Sequence, residues 1–226
     1  IAARDIWERS AAVGILPGFD IAHQSFGIAG LAAAARVAEA CGQVADASRW
    51  QAAAERMRVS LLMHPTLSMI QDGHIIKRRL PDGSVQRALA VSADAEFLKH
   101  FVPSGMPLAE GREAKPWEPD ISSCFPITLG IIDGASDVAR ATLEQMDILW
   151  SQTWEGGGYG RYNVLSEPDS PGPWPFATAF VAAAALEVGD EARARRAIEW
   201  LITRAGEGRS FFEFYGERPT PPLPPT

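Results

Sequence analysis

The 226-residue chain is poor in cysteine and histidine, with two of the first and four of the second. Cys41 and Cys124 form no metal-type spacing, and two cysteines make no disulfide framework in a chain of this length. Reduced thiols and a cytoplasmic location are the expectation. His23, His64, His74 and His100 share no two-ligand spacing, so each reads as an ordinary core or surface histidine and no metal site is predicted. No cofactor is expected either. The run Gly156-Gly157-Gly158-Tyr159-Gly160 follows an amphipathic stretch rather than a strand and lacks the dinucleotide-binding spacing. Long apolar runs are missing too: Arg, Glu, Gly or Pro interrupts each alanine-rich stretch before the roughly 20 residues a bilayer span needs, so no membrane role is expected. Positive charge is the minority sign. Twenty-one Lys and Arg against 28 Asp and Glu give a formal net charge of −7 without a basic stripe, which argues against nucleic acid and for a neutral ligand. Finally, the chain begins Ile1-Ala2-Ala3 without initiator Met or signal peptide and stops in a Pro-rich run, 219–226, so both ends read as cut.

What is present is ample apolar material, 46% of residues, arranged as two kinds of helix in alternation. Residues 26–41 are apolar on nearly all sides, whereas residues 48–63 put Trp50, Ala53, Ala54, Met57 and Leu61 on one face and Arg49, Glu55 and Arg56 on another. The pattern returns near the end. Residues 173–188 carry almost no polar side chain; residues 190–203 set Ala194, Ala197, Ile198, Leu201 and Ile202 against Arg193, Arg195, Arg196 and Glu199, with Gly189 and Asp190 as stop and start signals. A third, weaker pair joins the short apolar run 122–132, with Pro126 in its first turns, to an amphipathic run 136–150. Hairpins with one buried and one amphipathic partner imply an inner ring of helices shielded by an outer one, an all-α fold of the α/α barrel kind. Between the first two pairs, Asp72-Gly73 and Asp82-Gly83 separate strand-like runs within 66–91 and predict a small β-hairpin or meander. The Pro- and Gly-rich stretch 103–119 predicts a long loop.

Three segments combine aromatic, charged and Gly or Pro residues: Asp5-Ile6-Trp7-Glu8-Arg9, Tyr159-Gly160-Arg161-Tyr162 with 171–175, and Phe211-Phe212-Glu213-Phe214-Tyr215. Each adjoins a predicted helix, so in a two-layer barrel they would ring one mouth. A pocket of Trp, Tyr, Arg and carboxylates suits a sugar, whose C–H faces stack on aromatics and whose hydroxyls take hydrogen bonds. Cleaving a glycosidic bond needs two carboxyls in different protonation states, and Glu8 after Trp7 and Glu213 between two Phe have apolar neighbours able to raise a pKa. The plain alternatives are a Glu8 paired with Arg4 or Arg9, a Glu213 exposed on a Phe-rich loop, an Arg161 bridged to Glu155 or Glu167, and a Trp174 that only packs the helix start between Pro173 and Pro175. Asp20, Glu118 and Asp120 read as carboxylates of solvated loops, with Trp117 a minor candidate for a pocket rim.

The segment Asp5-Ile6-Trp7-Glu8 resembles the Asp-(Leu/Ile)-Trp-Glu of glycoside hydrolase family fifteen, which holds glucoamylases, glucodextranases and some trehalases. Gly160-Arg161-Tyr162 followed by Gly172-Pro173-Trp174-Pro175 resembles that family's Arg-Tyr and Gly-x-Trp entry into an inner helix, and Glu213 stands where the family's base follows the next outer helix. The resemblance implies an (α/α) six-hairpin barrel, here incomplete and with the small β-hairpin insertion, residues 1–226 being the C-terminal part of the catalytic domain. It implies inverting, exo-acting hydrolysis of α-glucosidic bonds, with Glu8 as acid and Glu213 as base. A carbohydrate is the implied partner, held by Asp5, Trp7, Arg9, Arg161, Tyr162, Trp174 and Tyr215. Arg9 stands where fungal members carry a second Glu, and Phe214 replaces the common Gln after the base, so Tyr215 is expected to take over part of its hydrogen bonding. The family's early Arg-Asp clamp would precede Ile1, and its aromatic after the base would follow Thr226. Two other readings stay open: another six-hairpin glycosidase or phosphorylase, and a toroid that binds glycans without cleaving them.

Overall fold

The computed structural model of the chain describes residues 4–7, 14–89, 115–151, 156–163, 172–205 and 210–215. It divides into two compact units, residues 1–116 and 117–226.

The first unit is built on a helical hairpin, α1 (Ile21–Ala40) and α2 (Val44–Met63), followed by short strands. The helix α1 begins five residues before the apolar pattern suggests, because Asp20 is its cap: extended in backbone, it takes the Ala22 N–H on its carboxylate at 3.1 Å. Gly42, at φ 75°, turns the chain into α2. Of the inward face read for α2, Ala54 and Leu61 are buried and Trp50, Ala53 and Met57 half-buried, while Arg49, Glu55 and Arg56 are exposed. The expectation that α1 is covered on nearly all sides needs correcting. Ile21, Ala22, Ser25, Ile28, Ala35 and Ala38 are buried, but Phe26 is 43% and Val37 64% exposed. The physical reason is coverage: the main described partner of α1 is α2 alone, since the strand Phe19–Asp20 runs directly into its first turn.

The predicted β insertion is present. Strands β2 (Ile70–Gln71) and β3 (His74–Ile75) pair antiparallel, Ile70 opposite Ile75, across Asp72 and Gly73, both at positive φ (53° and 82°). Positive φ at both central residues defines the type I′ turn that the Asp-Gly dipeptide favours. Strand β4 (Arg78–Arg79) returns to pair with β1 (Phe19–Asp20), placing Asp20 opposite Arg78 at the head of α1. Gly18 is required there, since a Cβ would stand 2.6 Å from the Arg79 carbonyl oxygen. The second Asp-Gly turn closes with the Leu80 N–H donating to Ser84 O at 2.8 Å and Gly83 at φ 88°. Strands β5 (Ala88–Leu89) and β6 (Lys115–Pro116) pair across residues that lie outside the described set, as does most of the predicted 103–119 loop.

The second unit centres on α5 (Pro175–Val188), which packs against α6 (Glu191–Arg204), against the 3₁₀ turn Ile121–Cys124 with its continuation α3 (Phe125–Thr128), and against α4 (Asp137–Gln145). The α5–α6 hairpin follows its sequence signals: Gly189 is left-handed (φ 84°) and the Asp190 carboxylate accepts the Arg193 N–H at 2.9 Å. The run 122–132 does not form the single short helix expected. It stops after one α turn, with Gly130 at φ 66°, and the Ile131 and Ile132 N–H groups fold back onto Pro126 O. The amphipathic run 136–150 is α4, capped by the Ser136 hydroxyl, then a 3₁₀ turn, Met146–Leu149. The chain therefore has an all-helical fold with small β-hairpins. Among the described residues no helix is long and apolar enough to cross a membrane. Both cysteines are free, Cys41 on the surface and Cys124 buried, where burial pushes its thiol up to about 12.

Candidate active site

In the first unit, Asp5 and Trp7 stand on a turn fixed by buried charges. The Asp5 carboxylate accepts the Trp7 N–H at 2.9 Å, and its second oxygen lies 3.4 Å from the Lys77 Nζ, both side chains being fully buried. The same ammonium sits 6.0 Å from the centre of the Trp7 ring. Next to it, the buried Arg78 guanidinium donates to Asp20 Oδ2 at 3.2 Å, to Leu16 O at 2.8 Å and to Arg4 O at 3.4 Å. Asp20 also faces the half-exposed His23 ring at 3.2 Å. Burial raises the Asp20 pKa, but the His23 hydrogen bond and the charges of Lys77 and Arg78 outweigh it and hold the carboxyl below the usual range. The hydrogen bond to Asp20 pushes His23 up, against its own desolvation. Glu8 and Arg9 lie outside the described residues.

In the second unit, one stack gathers Arg161, Tyr162, Trp174 and Phe214, while the Tyr215 ring packs edge-on against Trp200 and Phe212. Trp174 precedes α5, whose first helical residue is Pro175. The Arg161 guanidinium lies 4.1 Å from the centre of the Trp174 ring and 4.8 Å from that of Tyr162, and donates to the Tyr162 hydroxyl at 2.9 Å. The Phe214 ring stacks on Trp174 at 5.1 Å with 23° between planes. That contact draws the 211–215 loop to the head of α5, where the Tyr215 N–H donates to Pro173 O (2.9 Å) and its hydroxyl to Arg204 O (3.0 Å). Burial pushes the Tyr215 phenol up. Glu213, between Phe212 and Phe214 on this loop, is exposed. Glu155 and Glu167, the alternative partners considered for Arg161, lie outside the described residues.

The stack has a built support. Tyr159 O accepts the Trp174 N–H at 2.8 Å, and the Tyr159 N–H donates to the buried Thr178 hydroxyl at 2.9 Å. Arg196 lies 4.2 Å over Trp150 and donates to the Tyr159 hydroxyl. Gly157 and Gly158 admit neighbouring rings: a Cβ at the first would meet Trp150 at 2.2 Å and at the second Trp200 at 2.5 Å. The glycine run is thus a tight loop shaped by aromatic packing.

Two carboxylate readings and one aromatic reading change. Asp20 and Asp120 are fully buried rather than solvated, because each caps a helix or turn; Asp120 takes the Ser122 N–H at 2.7 Å and bridges in register with Tyr162. Trp117 is also fully buried, so it forms no rim. Sequence reasoning missed Lys77 and Arg78. Their signal was a basic run, Lys77-Arg78-Arg79, placed directly after the apolar pair Ile75-Ile76; all five residues are buried. Among the described residues no group of three or more His, Cys, Asp or Glu is placed to hold a metal ion.

No protein-family model and no curated protein matches the chain. Among solved structures, a glycosidase variant in complex with glucose is similar, with a TM-score of 0.59 and 18% identity over 94% of this chain and 44% of its own. The wild-type glycosidase matches to the same degree. A bacterial glucoamylase complexed with acarbose is similar at a TM-score of 0.58 and 18% identity, over 89% of this chain and 30% of its own. The chain therefore spans less than half the length of these structures, and at this identity the likeness is one of fold, an all-helical fold similar to that of glucoamylase.

Proposed function

We propose that the chain belongs to a glycoside hydrolase that releases glucose from the ends of α-glucosides with inversion, Glu8 protonating the leaving oxygen and Glu213 activating water. The observation that carries the reading is the stack Arg161–Trp174–Phe214, which joins an aromatic wall, a fixed cation and the loop of Glu213 at the head of one helix. The part of this stack left open to the C–H face of a sugar ring is Phe214, 37% exposed, with the buried Trp174 and Tyr162 behind it. The fold similarity to a glycosidase complexed with glucose and to a glucoamylase complexed with acarbose agrees with it.

Inversion sets the geometry the reaction demands: an acid on one side of the scissile bond, a base on the other, and ~6.5–9.5 Å between carboxyls so that a water fits. Arg161, already held flat by two rings, loses little further freedom on binding a hydroxyl. On the family resemblance, Trp7 would line the subsite for the non-reducing sugar and Arg161 would hold its hydroxyls.

The test is hydrolysis of maltose by the intact protein and by Glu8→Gln and Glu213→Gln. Each substitution is expected to lower kcat by roughly 10³-fold or more while glucose binding, followed by calorimetry, persists. Full activity in either variant would defeat the assignment. The exposure of Glu213 favours a second reading, a toroid that binds glycans without cleaving them; binding by the unmodified protein with no turnover would select it.

A further inference from the structure

We propose that a cleft between α1, α2 and the β insertion binds a small molecule made of one aromatic ring and one hydroxyl group, a phenol, with Gln24 as its polar anchor. The site lies wholly within the first unit and does not depend on Glu8, Glu213 or the sugar reading.

The cleft has a volume of about 120 Å³. Its most buried lining residues are Leu61 and Met69, 5% and 1% exposed, and the half-buried Phe19, Met57 and Leu67 complete the apolar wall. The exposed Ser60 marks its mouth, and Gln24 is half-buried in its lining. Each wall is held in place by contacts of its own. A Cβ at Gly27 of α1 would lie 3.1 Å from the Met57 Cε, so the missing side chain lets Met57 lie against α1. The Met69 N–H donates to Leu61 O at 2.7 Å and the Leu67 N–H to His64 Nδ1 at 3.0 Å, which fixes the segment that follows α2. Phe19 is tied to β4 by its pairing with Arg79. The cleft is therefore a preformed feature of the fold.

Size and polarity together choose the ligand. An apolar cavity of ~150 Å³ takes up benzene, so a cleft of this volume matches a single six-membered ring and no more. Among the described residues neither the Gln24 amide nor the Ser60 hydroxyl has a hydrogen-bond partner, whereas every other lining side chain is apolar. A sugar fits this lining badly, because several hydroxyls would face Leu61, Met69 and Phe19 and lose their bonds to water without replacement. A phenol has the opposite balance. Its ring meets the Phe19 ring and the Met57 and Met69 thioethers, contacts that aromatic and sulfur groups favour. Its hydroxyl both donates and accepts, and the amide of Gln24 offers both in return. Gln24 rather than Ser60 is the anchor because it is half-buried, where water competes less for the bond.

The experiment titrates the intact protein, carrying isotope-labelled methionine methyl groups, with phenol, benzene and glucose, and repeats the titrations on Gln24→Leu. Phenol should shift the NMR signals of the Met57 and Met69 methyls saturably, with a Kd of about 1 mM or tighter. The methyls of Met63, exposed on α2, and of Met146, buried in the second unit, should stay in place. Gln24→Leu should weaken phenol binding about fivefold or more while benzene binding changes by less than about twofold. Glucose at the same concentrations should move neither Met57 nor Met69. Shifts that grow without saturating, phenol binding that survives Gln24→Leu unchanged, an equal loss for phenol and benzene, or saturable shifts with glucose would each overturn the proposal. Should Gln24→Leu fail to fold, the unaltered protein gives the same reading from the ligand's side: phenol should bind about fivefold tighter than benzene. Benzene binding as tightly as phenol would remove the anchor and with it the proposal.

Discussion

At the scale of single residues, the structure turns charges that composition treats as surface into internal fixtures. Asp20 caps α1, faces Arg78 and takes the His23 hydrogen bond at once. Its lowered pKa contributes stability that is present above the ordinary carboxylate value of 3.8 and is lost as pH falls through the folded value. His23 works the other way: its raised pKa contributes stability that is complete below 6.5 and lost as pH rises through its folded value. The charged groups around it are Asp20, Arg78 and Asp5. Replacing His23 by Gln should therefore cost the protein more at about pH 5.5 than at about pH 8.5, as read from urea unfolding midpoints. An equal cost at both would remove the pair from the account. Arg161 makes a different prediction. Lysine keeps its charge but not the planar guanidinium that lies on Trp174 and donates to Tyr162. Arg161→Lys should lower kcat/KM on an α-glucoside by roughly tenfold or more, largely through KM, with little change in unfolding midpoint.

At the scale of elements, the helical hairpins were legible because buried and amphipathic helices write different patterns, and the caps Gly189 and Asp190 stand where the sequence marks them. Asp72-Gly73 likewise announces its turn, since few other dipeptides accept two positive φ angles. The rest was illegible for physical reasons. Lys77 and Arg78 look solvated until their carboxylates are known, and those come from 58 to 72 residues away, as Arg78 to Asp20 and Lys77 to Asp5. The stack of Phe214 on Trp174 joins segments separated by a whole helix, which no periodicity reports. The one-turn α3 was misjudged because apolar composition alone does not show where a chain folds back. Support beneath the candidate site is testable at this scale. Thr178→Val keeps the shape of a fully buried residue but leaves the Tyr159 N–H without its acceptor, a change expected to cost about 1–3 kcal/mol. It should also loosen Trp174, whose N–H rests on Tyr159 O, and so reduce activity beyond what the lost stability explains.

At the scale of the whole molecule, each of the two compact units has its own buried framework. Residues 1–116 hold the Asp5–Trp7 turn in a buried charge network, and residues 117–226 carry the Arg161–Trp174–Phe214 stack with its Glu213 loop. Both rest on the same device, an aromatic or acidic loop tied to the start of a helix. The exposed apolar residues Phe26 and Val37 on α1, and Phe176 and Leu186 on α5, belong to helices whose sequences are those of an inner layer. The central claim is that two carboxyls act on opposite faces of one α-glucosidic bond, and the first sugar released reports it. Proton NMR of maltose turnover, recorded within the first minutes by the intact protein, should show β-glucose in excess of the α/β mixture that the reducing-end sugar itself delivers, the excess then decaying by mutarotation. An initial excess of the α-anomer over that mixture would contradict the account.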